Sequence, residues 1–177
     1  MTKNILIAGF GGQGVLFTGK FIANAALLED KQLSWLPSYG PEMRGGTCNC
    51  SVIVSDEPVG SPIVTEPDIL IAMNRPSLDK FESTVVPGGE IYVDSSLVDR
   101  KVERTDVIVH YIPATRLSTE KGFDGIANMI ILGSVVHHSK IVDEANIPAA
   151  MGKVVSAKHK NLYDFNLKAM ELGYTCD

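Results

Sequence analysis

"IAGFGGQGVLFTGK", residues Ile7 to Lys20, is the stretch from which the fold is read. Its spacing Gly9-x-Gly11-x-x-Gly14 is that of the dinucleotide fingerprint. The apolar run Asn4-Ile5-Leu6-Ile7-Ala8 leads into it. Val15 to Leu28 follows with helical spacing and stacks Phe17, Phe21 and Ala25 along one side. Strand, glycine turn and helix in this order are the context the fingerprint requires. Glycines suit such a turn because it needs unusual dihedrals, and because bare backbone lets N–H groups and a helix start approach an anion.

Working outward, the remaining chain keeps the same rhythm. Strand candidates are Asn4–Ala8, Leu33–Leu36, Thr47–Val54, Ile69–Ala72, Glu90–Val93 and Asp106–Tyr111. Helical patterns cover Pro76–Glu82, Ile126–His137, Ile147–Val155 and Asn161–Leu172, the last with Leu162, Phe165, Ala169 and Leu172 as its apolar face. Within Ile126–His137, Asn128 and Gly133 break the apolar pattern. Ser55–Pro67 is richest in turn residues and reads as a protruding hairpin or loop. Alternation of strands and helices gives an α/β fold. The expectation is one three-layer α/β/α domain over residues 1–177, with a mostly parallel, mixed sheet and a Rossmann-like start.

Composition narrows the function. The 177 residues are 45% hydrophobic and 21% charged, enough for a real core. A net charge of -5 with scattered basic residues disfavours nucleic acid and anionic membranes as partners. No apolar run approaches the ~18 residues of a membrane span. The glycine cluster interrupts the N-terminal apolar segment, so no signal-peptide core forms. A cytoplasmic location is the expectation.

Most familiar chemistries fail on inspection. A nicotinamide site wants a carboxylate at the end of the second strand, about 20 residues past the glycines. Glu29 and Asp30 fall too early, and Leu33–Leu36 runs into Pro37-Ser38-Tyr39-Gly40 without one. No Gly-x-Ser-x-Gly occurs. Gly14-x-x-x-x-Gly19-Lys20 has P-loop spacing, but Phe21 stands where Ser or Thr should bind magnesium. Cys48 and Cys50 would share one strand face about 6.5 Å apart, which suits buried thiols better than a disulfide or a metal site. His137-His138 reads as the polar end of a helix. No catalytic residue and no metal ligand is assigned.

A second unusual stretch, "SYGPEMRGG" from Ser38 to Gly46, is not explained by core packing. Gly45 and Gly46 bare their backbone, and Arg44 offers a planar fork for phosphate or carboxylate. The alternative is a tight turn with an Arg44–Glu42 surface pair. As successive βα-type loops of a parallel sheet, this stretch and the glycine turn would share one crevice.

In sequence, "GFGGQG", "SYGPEMRGG", "NCSVIVSDEPVGSPIV", "PDILIAMN", "VPGGEIYVDSS" and "NMIILGSVV" together resemble the gamma subunit of 2-oxoacid:ferredoxin oxidoreductases, from Asn4 to about Leu172. The "SYGPE" form is similar to the 2-oxoglutarate and 2-oxoisovalerate branches. The resemblance implies a multi-subunit enzyme converting a 2-oxoacid, 2-oxoglutarate foremost, and coenzyme A to acyl-CoA and carbon dioxide, with ferredoxin as electron acceptor. It implies thiamine diphosphate and iron–sulfur clusters in the alpha, beta and ferredoxin-like partner subunits, and no tightly bound cofactor here. Gly9, Gly11, Gly12, Gln13, Gly14, Tyr39, Arg44, Gly45, Gly46 and Asn74 are then candidates to receive coenzyme A or to pack against a partner. A stand-alone NAD-dependent oxidoreductase and a nonenzymatic nucleotide-binding or scaffold module are the competing readings.

Overall fold

The structure is a computed structural model and describes residues 1–39 and 47–176. Its strands are β1 (Thr2–Phe10), β2 (Gln32–Tyr39), β3 (Thr47–Ser55), β4 (Ile69–Ala72), β5 (Glu90–Asp94) and β6 (Ile108–Ile112). Its helices are α1 (Val15–Leu27), α2 (Arg75–Phe81), α3 (Ala114–Glu120), α4 (Ala127–Ser139), α5 (Ile147–Val154) and α6 (Lys160–Gly173). The sheet order is β2-β3-β1-β4-β5-β6. β1, β4, β5 and β6 are mutually parallel, while β3 runs antiparallel to both of its neighbours. The sheet is therefore mixed, as expected.

Alternation along the strands sends side chains to two cores. Ile5, Ile7, Val52, Ile69, Ile71 and Tyr92 face α1, α4, α5 and α6. Leu6, Ile53, Leu70, Ile91 and Val93 face α2, through Leu78, and the segments carrying Val64, Val85 and Val98. Helix α4 is buried continuously from Asn128 to Val136. This explains why its sequence lacks a polar face.

The two residues that break the α4 pattern do so for packing. Asn128 Nδ2 donates to the carbonyl of Gly14 at 3.3 Å and to Thr18 Oγ1 at 3.1 Å, tying α4 to the start of α1. Gly133 meets α6 backbone to backbone: a Cβ there would lie 2.0 Å from the Met170 carbonyl oxygen. Gly173 is the reciprocal contact, with a Cβ 2.0 Å from the Ile130 oxygen.

That crossing corrects the expected face of α6. The residues it buries are Asn166, Ala169, Met170 and Gly173. Leu162 and Phe165, assigned to the apolar face from sequence, remain exposed. Close approach at two glycines rotates the helix toward its smallest residues, so the geometry of the crossing overrides the apolar stripe. The strand order brings a second correction. The connection between β2 and β3 joins antiparallel neighbours, so it is a hairpin connection and not a βα loop. Of the stretch Ser55–Pro67, Ser55 ends β3 and residues 56–67 form a loop without strands, and α3 is a helix that the sequence reading lacked.

Candidate functional site

Crossovers diverge at the middle of the sheet. From β1 the chain passes through α1 on one face to reach β2; from β4 it passes through α2 on the other face to reach β5. A crevice opens beyond the carboxyl ends of β1 and β4, where such folds bind their ligands.

The glycine turn forms one wall of that crevice. Gly12 and Gly14 adopt left-handed backbone, φ 93° and 78°, which side chains other than glycine resist. Gly14 immediately precedes the first helical residue, Val15. Gln13 folds back across the gap. Its Oε1 accepts from the Phe10 N–H at 2.7 Å and from Asn74 Nδ2 at 3.0 Å, and its Nε2 donates to the Met73 carbonyl at 3.1 Å. Asn74, buried, caps α2 by accepting the Ser77 N–H at 2.9 Å. One carboxamide thus joins the end of β1 to the end of β4 and, through Asn74, to the start of α2.

A cleft of about 230 Å3 lies beside this bridge, bordered by Gly12, Gln13 and Met73 on one side and by Leu97, Thr115, Ser118 and Gly125 on the other. Both α1 and α4 start at its margin, and neither has a side-chain cap or an acidic residue in its first turn. Helix starts carry partial positive charge from unpaired N–H groups. Asp94, fully buried at the end of β5, accepts from the Ser96 N–H at 3.0 Å and from Thr115 Oγ1 at 2.6 Å. Its oxygens are committed to these bonds, one of which holds Thr115 at the cleft. Among the described residues that line the cleft, none is a histidine, cysteine, lysine or carboxylate. The arrangement can hold a polar or anionic segment, and its own side chains supply no proton-transfer pair.

Of the ten candidate residues, Gly12 and Gln13 line the cleft, Asn74 is bonded to Gln13, and Gly9, Gly11 and Gly14 lie beside them along the chain. Tyr39 ends β2 in the same row, since it pairs with Cys48 and Cys48 pairs with Gly9. β3 nevertheless stands between β2 and the glycine turn. Arg44, Gly45 and Gly46 lie outside the described residues. Thr115, Ser118 and Gly125 were missed from sequence. Their one signal was Asp94 at a strand end, and its partner Thr115 starts a helix too short to show a period.

The inserted β3 also bears on nicotinamide binding. The ribose carboxylate of a dinucleotide fold belongs on the strand beside β1. Here that neighbour is β3, antiparallel, with Thr47 rather than a carboxylate level with Phe10. The buried thiols are equally unsuited to chemistry. Burial pushes the Cys50 thiol up to about 12 and raises that of Cys48, so both stay protonated at neutral pH. Among the described residues no group of three histidine, cysteine or acidic side chains is placed to hold a metal ion.

A larger cleft of about 420 Å3 on the opposite face is lined by Arg75, Arg100 and Arg104. These cations are already spent. Arg75 pairs with Asp99 at 2.9 Å, Arg100 with Asp79 at 2.6 Å and Glu82 at 2.7 Å, and Arg104 with Asp106 at 2.6 Å. Glu82 also accepts the backbone N–H groups of Glu103 and Arg104, which pins the connection into β6. The network is a structural clasp.

Known proteins share this fold. The pattern describing pyruvate ferredoxin/flavodoxin oxidoreductases matches residues 4–176. Ketoisovalerate oxidoreductase subunit VorA of Methanothermobacter marburgensis is 43% identical over 171 residues, 96% of this chain and 35% of that protein. The chain therefore spans about a third of the length of that relative. 2-Oxoglutarate synthase subunit KorC of Methanocaldococcus jannaschii is 36% identical over 177 residues, 98% of this chain and 93% of that protein. The gamma subunit of a keto/oxoacid ferredoxin oxidoreductase from Geobacter sulfurreducens superposes with a TM-score of 0.84 at 30% identity, covering 98% of this chain and 95% of that one.

Proposed function

Because the chain belongs to the pyruvate ferredoxin/flavodoxin oxidoreductase family, we propose that it serves as the gamma subunit of a multi-subunit 2-oxoacid:ferredoxin oxidoreductase. The assembly converts a 2-oxoacid and coenzyme A to acyl-CoA and carbon dioxide and passes the electrons to ferredoxin. 2-Oxoglutarate is the foremost substrate, with 2-oxoisovalerate the second reading that the VorA likeness favours. The alpha, beta and ferredoxin-like subunits carry the thiamine diphosphate and the iron–sulfur clusters. Among the described residues, the two strand thiols are buried and protonated and the cleft lining has no acidic set for a diphosphate-bound metal, which supports placing those groups in the partners.

The observation that carries the reading is the cleft itself, in a chain of this family. It joins a glycine turn, two uncapped helix starts and a hydroxyl-lined wall, without an acid–base pair. Such a site binds and orients. At about 230 Å3 it takes one segment of coenzyme A, the rest of which lies against a partner subunit. Gly12 permits close backbone approach, and Gln13 and Asn74 keep the two strand ends in register. Arg44, with Gly45 and Gly46, supplies a fork for a phosphate of coenzyme A or a carboxylate of a partner. Tyr39 leads the chain into that loop.

Purification of the complex from co-expressed subunits, with and without this chain, tests the reading. Coenzyme A-dependent ferredoxin reduction is followed with 2-oxoglutarate and with 2-oxoisovalerate. Turnover is expected only when the chain is present. Arg44→Lys should weaken coenzyme A or partner binding, and Arg44→Ala more so, by about 1.5–3 kcal/mol, on the order of 10- to 100-fold. Undiminished turnover without the chain would refute the subunit role.

A further inference from the structure

The polar side chains around the cleft of about 230 Å3 have already used part of their bonding capacity, and what is left has a direction. On one side stands Gln13. Its Oε1 accepts from the Phe10 N–H at 2.7 Å and from Asn74 Nδ2 at 3.0 Å, so both lone pairs are taken. Its Nε2 gives one proton to the Met73 carbonyl at 3.1 Å, and among the described residues the second proton meets no acceptor. Toward a ligand, Gln13 only donates.

The other side is the reverse. Thr115 Oγ1 lies 2.6 Å from Asp94 Oδ2, and a carboxylate only accepts, so the threonine hydroxyl donates. Ser118 Oγ donates to the Phe123 carbonyl. Each hydroxyl has a single proton and has spent it. Toward a ligand, both only accept. A phosphate offers acceptors alone, so at this wall it meets lone pairs, with the buried Asp94 carboxylate behind them. The matching group carries an acceptor on one side and a donor on the opposite side. A trans secondary amide has that form, because its C=O and N–H point in opposite directions. An adenine ring instead sets its amino donor beside a ring acceptor on one edge. Met73 and Leu97 border the same space and suit the carbons that flank an amide.

We propose that the cleft selects a neutral secondary amide and turns phosphate away. Of coenzyme A it holds a pantetheine amide, with the carbonyl toward Gln13 Nε2 and the N–H toward Thr115 Oγ1. Thr115 is then a specificity-determining residue, oriented by Asp94, and the phosphates lie outside the hydroxyl wall. This inference rests on the coenzyme A-binding subunit reading above.

The test splits coenzyme A into its two halves and uses each as a competitor of coenzyme A in ferredoxin reduction by the co-purified complex. One half is S-methylpantetheine, whose blocked thiol cannot accept the acyl group; the other is adenosine 3′-phosphate 5′-diphosphate. Thr115→Val removes the hydroxyl at constant shape, and Thr115→Ser keeps it. Ser118→Ala, which leaves the Asp94 contact in place, repeats the measurement should Thr115→Val fail to fold in circular dichroism melts. Thr115→Val should raise the inhibition constant of S-methylpantetheine about three- to tenfold, the worth of one neutral hydrogen bond, and leave that of the nucleotide half within about twofold. Thr115→Ser should match the wild type. A loss confined to the nucleotide half would overturn the inference by placing phosphate or adenine in the cleft. So would constants for both halves that stay within about twofold in Thr115→Val and Ser118→Ala alike. Equal weakening of both halves, or the same loss in Thr115→Ser, would make Thr115 structural and overturn it too. Each of these results leaves the subunit reading standing, which fails instead if turnover is undiminished in a complex lacking the chain.

Discussion

Gly14 shows how one residue can be read from sequence for one reason and be needed for two. Its place in the fingerprint was legible, and so was the demand of the turn for left-handed backbone. Its second constraint was not: a Cβ there would lie 2.5 Å from Asn128 Nδ2, 114 positions further along the chain. Gly14→Ala should therefore cost about 2–4 kcal/mol, combining left-handed strain with crowding. Asn128→Ala should cost about 1–3 kcal/mol through the lost bonds to Gly14 and Thr18. The double variant should cost less than the sum by at least about 1 kcal/mol, because removing the amide relieves the clash. Urea denaturation of the four proteins decides it. Additivity within about 0.5 kcal/mol would mean the two residues do not touch.

At the scale of the element, the sequence reveals periods but not partners. β1 and α1 were legible because a strand and a helix of 9 and 13 residues show their spacing. The seven residues of α3 are too few to show one, and no Pro-Gly-Gly turn follows it as one follows the equally short α2. The buried face of α6 was misread because glycine carries no hydropathy signal, although Gly133 and Gly173 govern the α4–α6 crossing. Replacing Gly133 with alanine should push the helices apart and cost about 3 kcal/mol, the upper end for overpacking. Gly152, also helical, has open space on the side where a methyl would stand, with no atom within 4 Å of it. Gly152→Ala should therefore be neutral or stabilising by about 0.5–1 kcal/mol. Thermal melts of both variants separate close packing from helix propensity. An equal effect of the two substitutions would contradict the crossing.

For the whole molecule, global stability should respond to pH through groups far from the cleft. The Cys50 thiol sits at about 12 in the folded chain against 9.0 for an ordinary thiol, with burial as the largest cause. Its contribution is fully present below pH 9 and declines as pH rises from there toward 12, since the unfolded chain loses its proton first. The slope approaches about 1.4 kcal/mol per pH unit at most. Burial also raises Tyr174, to about 12 from 10.0, so tyrosine adds to the decline only above pH 10. Denaturation between pH 8 and 10 should thus show a loss that Cys50→Ala reduces, with Cys48, whose thiol burial also raises, supplying the remainder. A flat profile in the wild type would show that the thiol is not sequestered. Sequence supplied the fold class and family, since both rest on local motifs. It could not supply the order of the strands, which depends on where residues 47–55 insert.

That insertion reaches into synthesis. β1 is translated before the other described strands, yet its neighbours are β3 and β4, and Thr2 meets Ser55 across 53 positions. Until β3 emerges, Ile5-Leu6-Ile7 has no sheet to join. At about 5–20 residues per second, the nascent chain carries this apolar strand unpaired for several seconds. The same placement that centres β1 in the finished sheet makes it a natural client for a chaperone at the tunnel exit.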